Sequence, residues 1–288
     1  MIVDAHHHLW DPDRRDYPWL AGDTLASIRR RYDAEMLREH ARAAGVDRTV
    51  LVQTMADIGE TVDFLAIADA NRDLIGGVVG WVGLTGGTAD ALARLRDVPG
   101  ADLLVGIRNL AQDEPDPDWL ARSDVADGVR AVAAAGLVYD LLVYPHQMPA
   151  AIELVRRVPD ARFVLDHAGK PPIAGGDVEP WGGLLRELAG SPNVAVKLSG
   201  LVTEADWTQW TVADFRPYAE EILSAFGPAR VMFGTDWPVC ELAAGYARVV
   251  ELADALCAGL AETERTSVFG GTATEWYRPG KGWGGNPV

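Results

Sequence analysis

Short apolar runs rich in β-branched residues recur along this chain, and polar or turn-forming residues separate them. Runs of this length and composition are typical of buried strands in a parallel sheet. The pattern predicts eight strands, at residues 1–5, 48–53, 75–82, 103–108, 138–143, 162–166, 194–198 and 230–234.

Between these runs, apolar residues return every three or four positions, which is the spacing of an amphipathic helix. Gly45 and Gly136 stand where two of these segments should stop, since glycine is common just past a helix end. The clearest predicted helices are residues 34–44, 61–71, 124–135, 150–158, 212–226 and 244–260.

Eight strands that alternate with helices predict an α/β fold, a (β/α)₈ TIM barrel formed by a single domain over residues 1–288. An open doubly wound sheet is the alternative, but it favours a glycine-rich phosphate loop after the first strand. The turn after the first strand of this chain holds histidines instead.

Residues 11–31 form a long first loop, and we expect its segment Tyr17-Pro18-Trp19-Leu20 to cover the site. The glycine-rich tail at 279–288 is expected to be loosely ordered.

Composition narrows the range of partners. Of 288 residues, 48% are hydrophobic and 24% are charged, and the formal net charge is −16. Nucleic acid and anionic membranes require concentrated Lys and Arg, so we expect neither as a partner.

The sequence also bears on the location of the protein. The two cysteines indicate no disulfide framework, and no signal peptide is evident. The longest apolar run, 131–139, is too short to span a bilayer. We expect a cytoplasmic protein with a small-molecule partner, and leave a homo-oligomer open.

The first predicted strand runs directly into the polar sequence Asp4-Ala5-His6-His7-His8. Alternate side chains of a strand share one face, so Asp4, His6 and His8 should project to one side and His7 to the other. Two imidazoles beside a carboxylate at a strand end form half of a metal site.

Other polar residues follow later strands. In a parallel barrel the active site lies at the carboxyl ends of the strands. His167 after the sixth strand and Asp236 after the eighth are therefore predicted to converge with His6 and His8. Three nitrogens and one oxygen suit zinc or a similar divalent ion. The remaining strand-end candidates, predicted to bind substrate, are Arg108, Lys197, Trp10, Trp81 and Trp237.

Several longer motifs surround these residues: Asp4-Ala5-His6-His7-His8-Leu9-Trp10, Tyr17-Pro18-Trp19, Gly106-Ile107-Arg108, Asp166-His167-Ala168-Gly169-Lys170-Pro171, Lys197-Leu198-Ser199-Gly200 and Gly234-Thr235-Asp236-Trp237-Pro238. Over nearly the whole chain, they resemble motifs of the amidohydrolase superfamily, in particular its amidohydrolase-related (amidohydrolase 2) branch. That branch includes fuconolactonase, rhamnonolactonase and pyrone-dicarboxylate lactonase.

The resemblance implies a hydrolase that opens a sugar-derived (aldono-) or related carboxylic lactone by water attack. Asp236 would act as general base, with His167 as a second catalytic residue. His6, His8, His167 and Asp236 would bind the metal, and Arg108 would contact the substrate. Lys197 would lie close to Asp236 and orient its carboxylate. The aromatic rings of Trp10, Trp81 and Trp237 would stack on a sugar ring.

Metal use and reaction type stay open at this point. The chain lacks the strand-four Lys or Glu of two-metal relatives, where Arg108 and Asn109 stand, and no histidine ends the fifth strand. We expect one divalent metal, with zinc the expected ion, or hydrolysis without any metal. A metal-dependent decarboxylase, which is a lyase on the same scaffold, is the alternative function. A non-catalytic barrel is disfavoured because all four candidate ligands are present.

Overall fold

The structure is a computed structural model that describes residues 1–277. Eight short parallel strands form a ring at its centre. Each strand pairs with the next, so that the order in the sheet is the order in the chain. The strands are β1 (Val3–His7), β2 (Arg48–Val52), β3 (Ile75–Gly80), β4 (Leu104–Asn109), β5 (Val138–Leu141), β6 (Phe163–Leu165), β7 (Val194–Leu198) and β8 (Val231–Phe233).

Helices alternate with the strands, and this arrangement confirms the predicted (β/α)₈ TIM barrel. The helices are α1 (Ala34–Ala43), α2 (Ile58–Ala70), α3 (Thr88–Leu95), α4 (Ser123–Ala134), α5 (Met148–Arg157), α6 (Trp181–Ala189), α7 (Val212–Phe226), α8 (Tyr246–Leu256), α9 (Glu262–Thr266) and α10 (Thr272–Tyr277). The tail at residues 279–288 lies outside the described residues.

The observed strand bounds agree with the predicted ones to within two residues. Four helices were not predicted: α3, α6 and the short α9 and α10. Helix α3 is only eight residues long, and α6 carries Gly182 and Gly183 in its first turn, where glycine lowers helix propensity. Helices α3 and α6 have weak local helix signals in the sequence, and packing against the rest of the barrel stabilises them.

The barrel closes where β1 meets the segment that follows β8. The Asp236 amide donates a hydrogen bond of 2.8 Å to the carbonyl of His6. The buried Asp4 carboxylate accepts hydrogen bonds from the amide and the hydroxyl of Thr235, at 2.8 and 2.6 Å. The sequence Asp4-x-His6 therefore joins the two strand ends and places Asp236 beside His6 and His8.

The two ends of the barrel interior differ in polarity. Small and branched apolar side chains fill the amino-terminal end, and α10 packs across it. Charged and polar side chains occupy the carboxyl-terminal end, where the strands deliver their last residues. The apolar end contains Val3, Ala5, Val50, Val52, Val79, Val105, Val138, Val164, Ala195, Met232, Ala273, Trp276 and Tyr277. The polar side chains that the strands carry at their carboxyl ends therefore gather at one mouth of the barrel.

Within residues 1–277, the structure contains no helix with the length and apolar character needed to cross a bilayer.

Candidate active site

A cavity of about 450 Å³ opens at the carboxyl ends of the strands. Four polar side chains that are only 3–5% exposed line it: His8, Arg108, His167 and Asp236. All four were predicted as site residues from the sequence. Loops that follow the strands form the surrounding wall, with the side chains of Trp19, Tyr144, Lys170, Glu204 and Trp207 among them.

Three histidines converge on the Asp236 carboxylate. Its Oδ1 atom lies 3.3 Å from His8 Nε2, 3.7 Å from His6 Nε2 and 3.9 Å from His167 Nε2. The Nε2 atoms of His6 and His8 are 3.1 Å apart. The structure thus brings together the predicted quartet, with His6 fully buried beneath the other three residues.

Hydrogen bonds on the far side of two rings fix their orientation. His8 Nδ1 lies 2.8 Å from the carbonyl oxygen of Val52, to which it donates. His167 Nδ1 lies 3.0 Å from the hydroxyl oxygen of Ser199. In both cases the Nε2 atom is left to face Asp236. Such second partners are usual for imidazoles that bind metals or transfer protons.

A left-handed turn follows β6 and presents His167 to the cavity. Four successive residues have positive φ: His167 (52°), Ala168 (51°), Gly169 (70°) and Lys170 (54°). This backbone is unfavourable for residues other than glycine, by roughly 1–2 kcal/mol each. Trp181 Nε1 stabilises it with a hydrogen bond of 2.7 Å to the Ala168 carbonyl. One turn of this backbone places both His167 and Lys170 at the cavity surface.

A buried ion cluster lies under the cavity floor. Lys197 Nζ contacts Asp140 Oδ2 at 2.6 Å and Asp166 Oδ1 at 2.8 Å, and it lies 3.1 Å from His6 Nδ1. Arg108 Nη1 donates to Asp166 Oδ2 at 2.9 Å. Two cations therefore balance two carboxylates, which offsets the penalty for burying charge. The cluster fixes His6 from below and Arg108 from the side.

Burial sets the protonation of the site. It holds the pKa of His6 well below the ordinary value, and the positive charge of Lys197 acts in the same direction. Burial also lowers the pKa of His167 to about 4, although Asp236 opposes this. For Asp236, burial acts to raise the pKa, but His167, His8 and Lys170 together hold it below the usual carboxyl range. At neutral pH the site thus has neutral imidazoles at His6 and His167 beside an ionised carboxylate.

His6, His167 and Asp236 form a group that can hold a cation, and His8 lies beside it. Ligands about 2.0–2.1 Å from zinc lie about 3.3 Å from one another, and the measured separations run from 3.1 to 3.9 Å. The ligand atoms of His6, His167 and Asp236 all lie within 4.8 Å of one another. Neutral imidazoles also leave a lone pair free for a metal. The donor set can therefore hold a divalent ion such as zinc.

Four of the predicted substrate contacts do not line the cavity. Lys197 is fully buried in the ion cluster, so it cannot orient Asp236 directly. Trp237 is fully buried, and its Nε1 atom donates to Glu241. Trp10 is 2% exposed and packs edge-to-face on Trp19, with ring centroids 5.1 Å apart. The half-buried Trp81 also lies away from this cavity.

Other cavity residues were missed from the sequence. Lys170 stands in a recognised motif, but only the left-handed turn reveals that it faces the same cavity as His167. Glu204 and Trp207 come from the loop after β7, where nothing in the local pattern predicts their direction. Trp19 was expected to lie near the site as part of the first loop, and it forms part of the cavity wall.

Comparisons with known proteins agree across nearly the whole chain. A family model described as "Amidohydrolase" matches residues 3–278. An L-fucono-1,5-lactonase from Burkholderia ambifaria is 36% identical over 280 residues, which cover 96% of this chain and 95% of that protein. An L-fucono-1,5-lactonase from Burkholderia multivorans is 38% identical over 289 residues, with 96% of each chain covered.

A solved structure also resembles this protein over nearly its whole length. It is an amidohydrolase from Burkholderia multivorans crystallised with bound zinc. The two chains are 37% identical, and they superpose with a TM-score of 0.89 over 96% of this chain and 99% of the other.

Proposed function

Since this chain belongs to the amidohydrolase family, we propose that it opens the ring ester of a sugar lactone by hydrolysis, with L-fucono-1,5-lactone as the first substrate to test. The observation that carries this function is the position of Asp236. It is an ionised, nearly buried carboxylate surrounded by three histidines, at the floor of a cavity of about 450 Å³. Two full-length relatives that carry the fuconolactonase name support the same reaction.

Asp236 serves as the general base. Its lowered pKa keeps the carboxylate ionised at neutral pH, so that it can accept a proton from the attacking water. The water oxygen adds to the lactone carbonyl, and the ring C–O bond then breaks. The proton held by Asp236 passes to the departing alkoxide. The products are an open-chain hydroxy acid and, after its ionisation, one released proton.

Arg108 binds the lactone from one side of the floor. Its guanidinium is fixed by Asp166 at 2.9 Å and by the carbonyl of Gln53, yet it still lines the cavity. A planar fork of donors held in this way can bind a carbonyl or hydroxyl oxygen without losing much side-chain entropy. His8 and His167 contribute further polar contacts around the reacting carbonyl.

The same quartet would hold one divalent metal, and zinc is the ion we expect. His6, His8 and His167 supply nitrogen donors and Asp236 supplies oxygen, a set that zinc accepts readily. A bound ion of this kind lowers the pKa of water and polarises a carbonyl group. The residues that orient the rings, Val52 and Ser199, keep each Nε2 lone pair aimed at the centre.

Proton release tests the function directly. Purified protein is mixed in weak buffer with L-fucono-1,5-lactone and with other aldonolactones, and an indicator dye follows the acid produced above the spontaneous rate. We expect L-fucono-1,5-lactone to be among the best substrates. The Asp236→Asn variant is the matched control for contaminating activity. Carbon dioxide release from an aromatic acid, with no acid release from any lactone, would instead establish the decarboxylase alternative.

A further inference from the structure

Lys170 and Glu204 face each other across the cavity wall. Lys170 Nζ lies 3.9 Å from Glu204 Oε1, and the side chains are 16% and 22% exposed. Both line the cavity that contains Asp236. Lys170 comes from the left-handed turn after β6 and Glu204 from the loop after β7. In the proposed mechanism neither residue contacts the reacting groups, and Lys170 only helps to keep the pKa of Asp236 low.

The separation of these two charges is informative. At 3.9 Å the ammonium and the carboxylate are too far apart to share a hydrogen bond. An oxygen atom placed about 2.8 Å from each would bridge them, with an angle of about 90° between the two contacts. A hydroxyl group can fill that position, because it accepts from Lys170 and donates to Glu204 at once.

The lysine ammonium is held in place but retains unused donors. The ring of Tyr144 covers one side of it, with Nζ 4.8 Å from the ring centroid. Within the part of the chain that the structure describes, Lys170 Nζ donates no hydrogen bond. Its backbone amide donates to the His167 carbonyl at 2.8 Å, which ties the position of Lys170 to that of His167.

Glu204 is anchored in a similar way. It is the last residue of a short 3₁₀ helix, Leu201–Glu204, in which Thr203 Oγ1 donates to the Gly200 carbonyl at 2.7 Å. Gly200 adopts φ 65° and packs so closely on the His167 ring that a Cβ atom there would lie 2.4 Å from Nδ1. The two charged residues are thus joined, through His167, to the floor of the site.

Charge balance around the cavity favours a neutral ligand group. The charged lining residues are two cations, Arg108 and Lys170, and three carboxylates, Asp113, Glu204 and Asp236. A substrate carboxylate near Lys170 would also meet Glu204, and like charges at short range repel. A hydroxyl group satisfies both partners and brings no charge.

We propose that Lys170 and Glu204 form a hydroxyl-binding pair that selects lactones with a free hydroxyl group at the ring position facing them. This inference rests on the proposed lactone hydrolysis and adds the feature by which one lactone is preferred to another. Sites that hydrogen-bond a substrate hydroxyl discriminate strongly against analogues that lack it, because the buried partners are then left unpaired.

The test compares kcat/KM for an aldonolactone with that for its deoxy analogues, each lacking one ring hydroxyl. For wild-type protein, we expect one deoxy analogue to be at least about tenfold poorer, which corresponds to the net value of one lost hydrogen bond to a charged group. Lys170→Met and Glu204→Ala should each remove most of that preference, whereas Glu204→Gln should retain part of it. The matched control is Asp206→Asn, an exposed carboxylate in the same loop, which should keep the full preference.

Several outcomes would overturn the inference. One is active wild-type protein whose preference is the same in Lys170→Met and Glu204→Ala. Another is a preference for carboxylated lactones that Lys170→Met abolishes, since Lys170 would then bind a carboxylate. If no lactone is hydrolysed at all, the proposed function fails first. Calorimetric binding of an aldonolactam and its deoxy analogue to wild-type protein and both variants then tests the pair alone, and equal binding of the two lactams would refute it.

Discussion

The hydroxyl of Tyr277 donates a hydrogen bond of 2.7 Å to Asp140 Oδ2 inside the barrel. The same oxygen lies 2.6 Å from Lys197 Nζ, and Lys197 Nζ in turn lies 3.1 Å from His6 Nδ1. Helix α10, which closes the amino-terminal end of the barrel, therefore also supports the ion cluster under the active-site floor. Packing at one end of the barrel is connected to chemistry at the other through two buried residues.

Tyr277→Phe should weaken both stability and turnover. The substitution leaves Asp140 without one of its donors in a fully buried position, so we expect the free energy of unfolding to fall by about 1–3 kcal/mol. Since Tyr277 does not reach the cavity, kcat should fall more than KM rises. Urea unfolding and steady-state kinetics measure the two effects.

Tyr139→Phe is the matched control. The Tyr139 hydroxyl is also buried, but among residues 1–277 it has no hydrogen-bond partner. Its removal should leave stability unchanged or slightly higher, because no bond is lost. Equal destabilisation by the two substitutions would show that the Tyr277 effect reflects packing and not the hydrogen bond to Asp140.

Asp236→Asn should lower kcat by about 1000-fold, because an amide cannot accept the proton of the attacking water. The shape of the side chain is retained, so the thermal unfolding midpoint should move by no more than about 5 °C. Asp127→Asn, at an exposed position on α4, provides the control for a lost surface carboxylate. Substantial turnover by Asp236→Asn would exclude Asp236 as the base.

The protein should bind about one equivalent of divalent metal with the quartet described above. His167→Gln should reduce the zinc content found by elemental analysis, and dialysis against a chelator should abolish turnover until zinc is restored. His146→Gln removes an exposed histidine and should bind as much zinc as wild type. Full turnover by metal-free protein would show that Asp236 and the histidines act without an ion.

The strand ends explain why much of the site could be predicted from the sequence. Eight apolar runs fix where the strands stop, and barrel geometry brings those stops to one mouth. His8, His167, Asp236 and Arg108, four of the residues predicted to meet there, line one cavity in the structure. The predicted common face of Asp4, His6 and His8 was wrong for Asp4. A register shift in β1 lies between Asp4 and His7, and the Asp4 carboxylate accepts a hydrogen bond from Tyr246 of the outer helix α8.

Depth and loop paths could not be predicted in the same way. Lys197 precedes the end of β7 by one residue and lies a layer below the floor, a difference that only the barrel's register determines. Trp237 follows Asp236 directly, but the two side chains take different directions. Asp236 has a left-handed backbone (φ 59°) and lines the cavity, whereas the Trp237 ring packs on Tyr32 in the core. Glu204 lines the cavity from the loop after β7, and the path of that loop depends on tertiary contacts that the local sequence does not reveal.

His7 provides a prediction that is independent of catalysis. It occupies the strand position between His6 and His8, is fully buried, and faces away from the quartet's side of β1. Burial lowers its pKa to about 3, and the neighbouring His8 acts in the same direction. In the unfolded chain a histidine has a pKa of about 6.5. Protons therefore bind the unfolded state preferentially between these two values.

It follows that His7 makes folding stability fall as the pH decreases from about 6.5 towards 3, and has no such effect above that range. Replacement of His7 by Phe removes the titrating group while keeping an aromatic ring. We expect the difference in unfolding free energy between wild type and His7→Phe to shift in favour of the variant at pH 5 relative to pH 8, as measured by urea unfolding. His146→Gln, at an exposed position, should retain the wild-type pH dependence. A constant difference between wild type and His7→Phe at both pH values would mean that His7 is protonated in the folded protein.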